Sequence, residues 1–371
     1  MTADESELRE LRAAVREFME VKSPEEAVRK LMESQPRFDP AVWSQAADQL
    51  RLPGLAIPEE YGGDGFGLVE LGVVLEEMGR ALFCAPFFAT VLLAAQALLA
   101  SGDKQACARL LPGIAAGRTT ATLAVAEDHG SWDSAMVSAR AVPDGDGGWT
   151  VRGRKSFVID GTTADLILVV ARTVAGPTLF AVERDAAGLA AEPMETLDAT
   201  RAMARLTFDA VPATLVGSEG AGGRIMARVL DIASVGLAAE QAGGARRCLE
   251  TSADYARVRH QFGRPIGSFQ AVKHKCADML VQVELAEASS REAARLADED
   301  SPDFPVAAAV AHACCSRAYM TAAMENIQVH GGIGFTWEHP AHLYFRRAKS
   351  SQLLFGGPAV YHERLLDRLG I

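Results

Sequence analysis

The spacing of apolar positions along the chain changes twice. From Glu5 to about Gly117 apolar residues recur at intervals of three and four, as in ELRELRAAVREFME and LVELGVVLEEMGRAL, which predicts helices. The stretch IPEEYGGDGFG between them is broken by glycines and reads as a loop. Alanine and leucine crowd the segment from Ala89 to Ala100, which predicts a buried helix. From Thr119 to about Phe208 the runs shorten to TATLAVAE, SARAVPD, WTVRG, LILVVART and TLFAVER, the signature of strands. DGDGG at 144–148 is a turn between two of them. So many short strands in succession predict a small barrel or sandwich. Helical spacing returns near Gly222. It carries through RIMARVLDIASVGLAAEQAGGARRCLETSADYARVR, then FQAVKHKCADMLVQVELAEASSREAARLA, then a third helix from about Val306 to His330 and a fourth from near Pro340. Long helices with short connections predict a four-helix bundle. The expected fold is mainly α with a central β domain: a helical domain over 1–118, a β domain over 119–221 and a helical bundle over 222–371.

Composition narrows the function classes. The 371 residues are 49% hydrophobic and carry a net charge of −11. That balance argues against a nucleic-acid partner, whose phosphates call for a basic surface. It leaves room for phosphorylated cofactors, which a few local arginines can hold. No apolar run reaches the roughly 20 residues of a membrane-spanning helix. The start, MTADESELRELRAAVREFME, is charged and amphipathic and lacks the layout of a signal peptide. A cytoplasmic location is expected. Cys84, Cys107, Cys248, Cys276, Cys314 and Cys315 show no CxxC or Cys/His zinc spacing and read as free core thiols. Glu338, His339 and His342, with His330 nearby, do not have HExxH spacing, so no metal is expected.

The candidate chemistry lies in two strings. YARVRHQFGRPIGSFQAVKHKCAD sets Arg259, Gln261, Phe262, Gly263 and Gln270 around a glycine break between two long helices. A guanidinium grips a pyrophosphate through paired hydrogen bonds. Amides read an adenine edge, and a phenyl ring covers it. The second string, IQVHGGIGFTWEHP, offers Gln328 as donor and acceptor. Its glycines Gly331 and Gly332 let backbone approach a ligand closely. A helix cap and turn would give the same glycines.

Together these strings resemble the R-x-x-F-G-x-x-x-x-x-x-Q and Q-x-x-G-G-x-G-F elements of the acyl-CoA dehydrogenases, and the order helical, β, helical is that family's order over essentially the whole length. The resemblance implies FAD as cofactor. It also implies that both strings hold the ADP half of an FAD belonging to a neighbouring subunit, that the substrate is an acyl-CoA and that an electron-transfer flavoprotein accepts the electrons. RRAK at 346–349 matches the family's R-D-A-K and is expected to be a helix-surface ion-pair element.

The departures from the family pattern are as informative. Abstraction of the α-proton needs a positioned carboxylate. The three positions where the resemblance places it fall on Phe355, Gly357 and Ala233. Asp231 and Glu240 are the acidic residues left near Ala233; the former stands at a position that contacts CoA in relatives. Hydroxyls expected beside the flavin ring are replaced by Ala126 and Ile159, and a tryptophan by Phe157. Ser131 and the backbone remain available there. Ser234 stands where many relatives place a CoA-facing arginine.

One half of the inventory is thus kept and the other stripped. The resemblance then implies an FAD-dependent subunit for α,β-dehydrogenation of a bulky CoA thioester, possibly steroidal, working with a homologous subunit that supplies the base. The LFGG ending and the HQFGRPIGSFQAVKH string resemble heteromeric members from actinobacterial sterol catabolism. Two alternatives stay open: a homomeric enzyme with its base moved to Glu240 or Asp231, and a non-enzymatic assembly subunit.

Overall fold

The computed structural model describes residues 3–145 and 147–371. Asp146, inside the predicted DGDGG turn, lies outside the described residues. The chain divides by packing into two units. One comprises Lys30–Gly67 and Cys84–Ala233, and the other the N-terminal segment up to Arg29, Leu68–Phe83 and Ser234–Ile371.

The first unit contains α3 (Pro40–Leu50), α5 (Gln96–Ser101), α6 (Lys104–Ala115) and seven strands. These are β1 (Ala121–Ala124), β2 (Arg140–Pro143), β3 (Trp149–Ile159), β4 (Leu166–Thr173), β5 (Gly176–Glu183), β6 (Leu189–Pro193) and β7 (Met203–Val216). The predicted barrel is present. Pairing runs β4–β2–β3–β7–β5 and returns to β4, so the sheet closes; β1 adds to β4 in parallel and β6 to β7. Closure removes the open edges that would otherwise invite pairing with other chains. The two-sided burial of β4, Leu166–Val170 at 0–1% exposure, explains its unbroken apolar run. The predicted helix over Ala89–Ala100 is helical but begins with wider π-type turns over Phe88–Ala95 before α5.

The second unit is built from helices. α1 (Glu5–Lys22) and α2 (Glu25–Met32) open the chain, and α4 (Leu68–Arg80) follows the glycine loop. The long helices are α7 (Gly222–Val258), α8 (Gln270–Asp298) and α9 (Phe304–His330), with α10 (Ala341–Leu353) and α11 (Pro358–Leu369) closing the chain. The start of α7, and the end of α2, fall in the first unit. α1 packs on α4, α4 on α8, α8 on α9, and α9 on α10 and α11.

Two details tie α4 into this bundle. The Asp298 carboxylate, at the end of α8, accepts from the Leu68 and Val69 amides at 2.7 and 3.0 Å, capping α4 from 230 residues away. α4 and α7 also cross backbone to backbone. A β-carbon on Gly79 would lie 1.9 Å from the Glu240 carbonyl oxygen, and one on Gly243 would lie 1.8 Å from that of Glu76. The two glycines are reciprocal, each opening its helix to the other's backbone.

Ionic groups are sealed into the same region. Glu76 and Glu77 of α4 are 6% and 2% exposed, and Arg12 and Arg16 of α1 reach them at 2.6–3.1 Å. Buried carboxylates need such partners. The cysteines are all free, and Cys84, Cys107, Cys248 and Cys315 are buried. Among the described residues, no helix is long and apolar enough to cross a membrane.

Candidate functional site

In the helical unit the first string forms a short projecting arm. After α7 ends at Val258, β8 (His260–Gln261) pairs with β9 (Arg264–Pro265). Phe262 and Gly263 make the turn at φ 52° and 78°, the pair of positive φ values that tight hairpins use. Glycine takes that conformation freely, whereas Phe262 is held in it. The Ile266 amide donates to the Arg259 carbonyl at 2.7 Å and fixes the arm's base. Arg264 stacks on Phe269 at 4.2 Å, and Phe262 meets the edge of the same ring at 6.0 Å. Arg259, Gln261, Phe262 and Gln270 are all exposed, Phe262 at 92%.

The second string leaves the same end of the unit. Tyr255, in the last turn of α7, stacks on His330, in the last turn of α9, at 4.4 Å; His330 in turn lies 4.2 Å from His339. The His330 Nδ1 is bonded to the Asn326 carbonyl at 2.8 Å. Gly331 follows at φ 66°, ψ −141°, a conformation that L residues avoid. A β-carbon on Gly331 or Gly332 would meet nothing within 4 Å, so these glycines leave open space. Gln328 is exposed and Phe335 is 83% exposed. The structure therefore brings the two strings together through the Tyr255–His330 stack. No spacing argument had linked those two rings. The histidines serve as ring contacts here, and burial holds the imidazoles of His330 and His339 below their ordinary pKa.

The positions for a catalytic base lie in the interior. Phe355, in the link between α10 and α11, is 0% exposed at φ 64°. Gly357 is the N-cap residue of α11, with extended backbone. Ala233 is also 0% exposed. Its neighbour Ser234 shares a 2.7 Å hydrogen bond with the Tyr361 hydroxyl, and Tyr361 stacks on His312 at 3.5 Å. Asp231 is half-buried. Glu240 accepts from the Arg347 guanidinium at 2.8 Å, with side-chain exposures of 7% and 4%. This corrects the expected surface role of RRAK. Arg346 is half-buried and lies over Trp337 at 4.6 Å, but Arg347 turns inward because α10 buries Tyr344, Arg347, Ala348 and Ser351 on one face.

In the barrel unit, the two positions expected to carry hydroxyls beside a flavin ring are apolar. Ala126 and Ile159 are each 1% exposed. Phe157 sits in a bulge between β3 and β7 at φ 58°, and its amide faces the Met194 sulfur at 3.3 Å. Ser131 donates through its amide to the His129 ring and accepts through its hydroxyl from the Asp133 amide. Beside these residues lies an ion pair that the strand pattern does not single out. Lys155 is fully buried and donates to the Glu127 carboxylate at 3.0 Å and the Val125 carbonyl at 2.9 Å. Burial works to raise the Glu127 pKa. Bonds from Ser138 and the Ala139 amide, with the Lys155 charge, outweigh it and hold the group at about 2.

Family models for acyl-CoA dehydrogenase match the N-terminal domain over residues 5–118, the middle domain over 122–211 and the C-terminal domain over 220–370. The chain belongs to the acyl-CoA dehydrogenase family. Acyl-CoA dehydrogenase IpdE2 of Mycobacterium tuberculosis is 38% identical over 341 residues, covering 91% of this chain and 90% of that protein. Among solved structures, a variant of the Tcur3481-Tcur3483 steroid ACAD is 36% identical with a TM-score of 0.89, covering 98% of each chain. The ChsE4-ChsE5 complex from Mycobacterium tuberculosis is 28% identical with a TM-score of 0.89, covering 99% of this chain and 98% of that one.

Acyl-CoA dehydrogenases are FAD-dependent oxidoreductases. The residues fit that cofactor at its adenine end. Arg259, Gln261 and Gln270 are exposed on the arm, and Gln328 is exposed shortly before the open Gly331–Gly332 turn, so a group from outside the chain can reach them. At the positions expected beside the ring, Ala126 and Ile159 carry no hydroxyl, and Ser131 with backbone groups is what remains.

Proposed function

We propose that this chain is the subunit of a heteromeric acyl-CoA dehydrogenase that completes the FAD site of a homologous partner, while the partner carries the base. The substrate class is a bulky CoA thioester with a steroid-derived acyl group. Phe355 carries this reading. A fully buried phenyl ring on a positive-φ link, at the position where the resemblance places the glutamate, offers no proton acceptor. Losing a general base typically costs on the order of 10²–10⁴ in rate. Glu240, the nearby alternative, is already committed to Arg347.

The division of labour follows from these residues. Arg259 and Gln270 hold phosphate and adenine groups, and Gln328 with the Gly331–Gly332 backbone closes over them. When bound, FAD supplies the acceptor for the hydride that leaves the β-carbon. An electron-transfer flavoprotein is the acceptor proposed for the reduced complex. The names of two similar structures, a steroid ACAD and a complex of two differently named chains, support both the substrate class and the heteromer.

The test is to purify the chain alone and together with a homologous subunit encoded beside it. Flavin content and dehydrogenation of steroid side-chain CoA esters are then measured against short linear esters. The proposal expects activity and full flavin loading in the pair only. A fully loaded, active isolated chain would sink it and return attention to Asp231.

A further inference from the structure

Beneath the root of the arm, inside the helical unit, lies a cavity of about 610 Å³. It is a half-open cleft lined by the ends of α1, α4 and α9, the start of α2, the C-terminal half of α7 and the start of α10. Its volume falls within the range of about 300–1,000 Å³ typical of small-molecule sites.

Charge in the cavity wall is unevenly satisfied. Glu77 is held by Arg12 and Arg16, and Asp254 by Arg257. Glu25 is held by Arg29, and Glu20 is exposed. Arg80 gives one guanidinium nitrogen to Glu250 at 2.5 Å, but its Nη1 is buried with no hydrogen-bond partner among the described residues. Arg247 lines the same cavity, is hydrogen-bonded to the neutral Tyr344 hydroxyl and forms no ion pair among the described residues. A buried guanidinium nitrogen without an acceptor is unfavourable, so a group that supplies an acceptor is favoured there. Tyr344 adds no negative charge. Burial pushes its hydroxyl up to about 12, and it donates to the Arg80 carbonyl at 2.7 Å. The remaining wall mixes apolar and aromatic residues, Met19, Leu82, Leu343 and Tyr255 among them, with the polar side chains of Ser23, Thr251 and Asn326.

We infer that this cavity is a binding site for a small organic anion, a carboxylate or phosphate head on an apolar or aromatic body. The head would lie against Arg80 and Arg247, and the body against Met19, Leu82 and Tyr255. The inference goes beyond the dehydrogenase reading and stands whether or not that reading holds. It has a consequence for the arm, because the Tyr255 carbonyl accepts from the Arg259 amide at 2.9 Å. A ligand packed on Tyr255 steadies the turn from which Arg259 projects.

Calorimetric titration of the purified protein with octanoate and with AMP tests the idea, with octanamide and adenosine as uncharged counterparts. At least one anion should bind with one-to-one stoichiometry, and its uncharged counterpart should bind at least about tenfold more weakly. Octanoate binding alone would identify the lipid-type source, and AMP binding alone the nucleotide type. Arg247→Gln should weaken the same anion by a similar factor with the thermal midpoint unchanged. Arg259→Ala separates this cavity from the exposed arm: binding that it leaves intact supports the inference, and binding that it abolishes overturns it, whether or not Arg247→Gln folds. Absence of binding by both anions at millimolar concentration overturns the inference, as does equal binding of charged and uncharged forms.

Discussion

Glu240 and Arg347 form an ion pair in the interior of the helical unit, 2.8 Å apart and each under one-tenth exposed. The pair joins α7 to α10. Removing one member leaves the other charge buried, which typically costs about 3–5 kcal/mol. Glu240→Ala should therefore lower stability in urea by about that amount, and Arg347→Met similarly. The double replacement Glu240→Leu with Arg347→Met should cost less than either single change. If Glu240→Ala instead left stability unchanged and abolished turnover of the purified complex, the carboxylate would be a base rather than a structural partner.

Arg259 lies on the exposed arm, where substitutions usually change stability by less than about 0.5 kcal/mol. Arg259→Ala should leave the melting temperature in place and strip flavin from the assembled complex, read from visible absorbance after gel filtration. Arg259→Lys should restore little of it, since an ammonium cannot reproduce the planar fork.

His312 is fully buried, and neither ring nitrogen has a hydrogen-bond partner among the described residues. Burial, with the Arg364 charge adding to it, depresses its pKa to about 3, against about 6.5 in an unfolded chain. Between those values the unfolded chain binds the proton and the folded one does not. The stability contributed is therefore complete above about pH 6.5 and falls as pH drops towards 3, by at most about 1.4 kcal/mol per pH unit. His312→Phe, which keeps a ring against Tyr361, should flatten the slope of unfolding free energy between pH 6 and about 4.

Phe355 combines full burial with a positive φ. Phe355→Ala should destabilise by about 3–5 kcal/mol through the lost packing. Phe355→Gly removes the same ring but also the left-handed penalty, and should be less destabilising than alanine by about 1 kcal/mol. Equilibrium denaturation of the two variants checks the order. A glycine variant weaker than the alanine one would mean that the link does not keep this backbone conformation in solution.

The order of elements was legible because glycine, proline and apolar period mark each boundary, as at FGRPIG and DGDGG. The arm was legible because arginine, glutamine and an exposed phenylalanine have no packing reason to share a break. Arg347 was not legible. Two adjacent arginines lie about 100° apart on a helix, and period alone does not say which one meets a buried glutamate on another helix. The π-type turns at Phe88–Ala95 escaped for a related reason. Every residue there is buried, so no polar face records the winding. Nothing in VRGRKSF marks Lys155 as a buried partner, because its acceptors lie 28 and 30 residues earlier.

The reciprocal glycines Gly79 and Gly243 bear on how this chain can be taken apart. α4 belongs by sequence to the stretch matched by the N-terminal family model, yet its backbone is pressed into α7. A recombinant fragment beginning near residue 220 would expose a groove cut for a helix it no longer has. Chimeras that exchange the C-terminal half between homologues would inherit mismatched halves of one crossing. Any modular swap that keeps the bundle intact must carry residues 68–83 along with it.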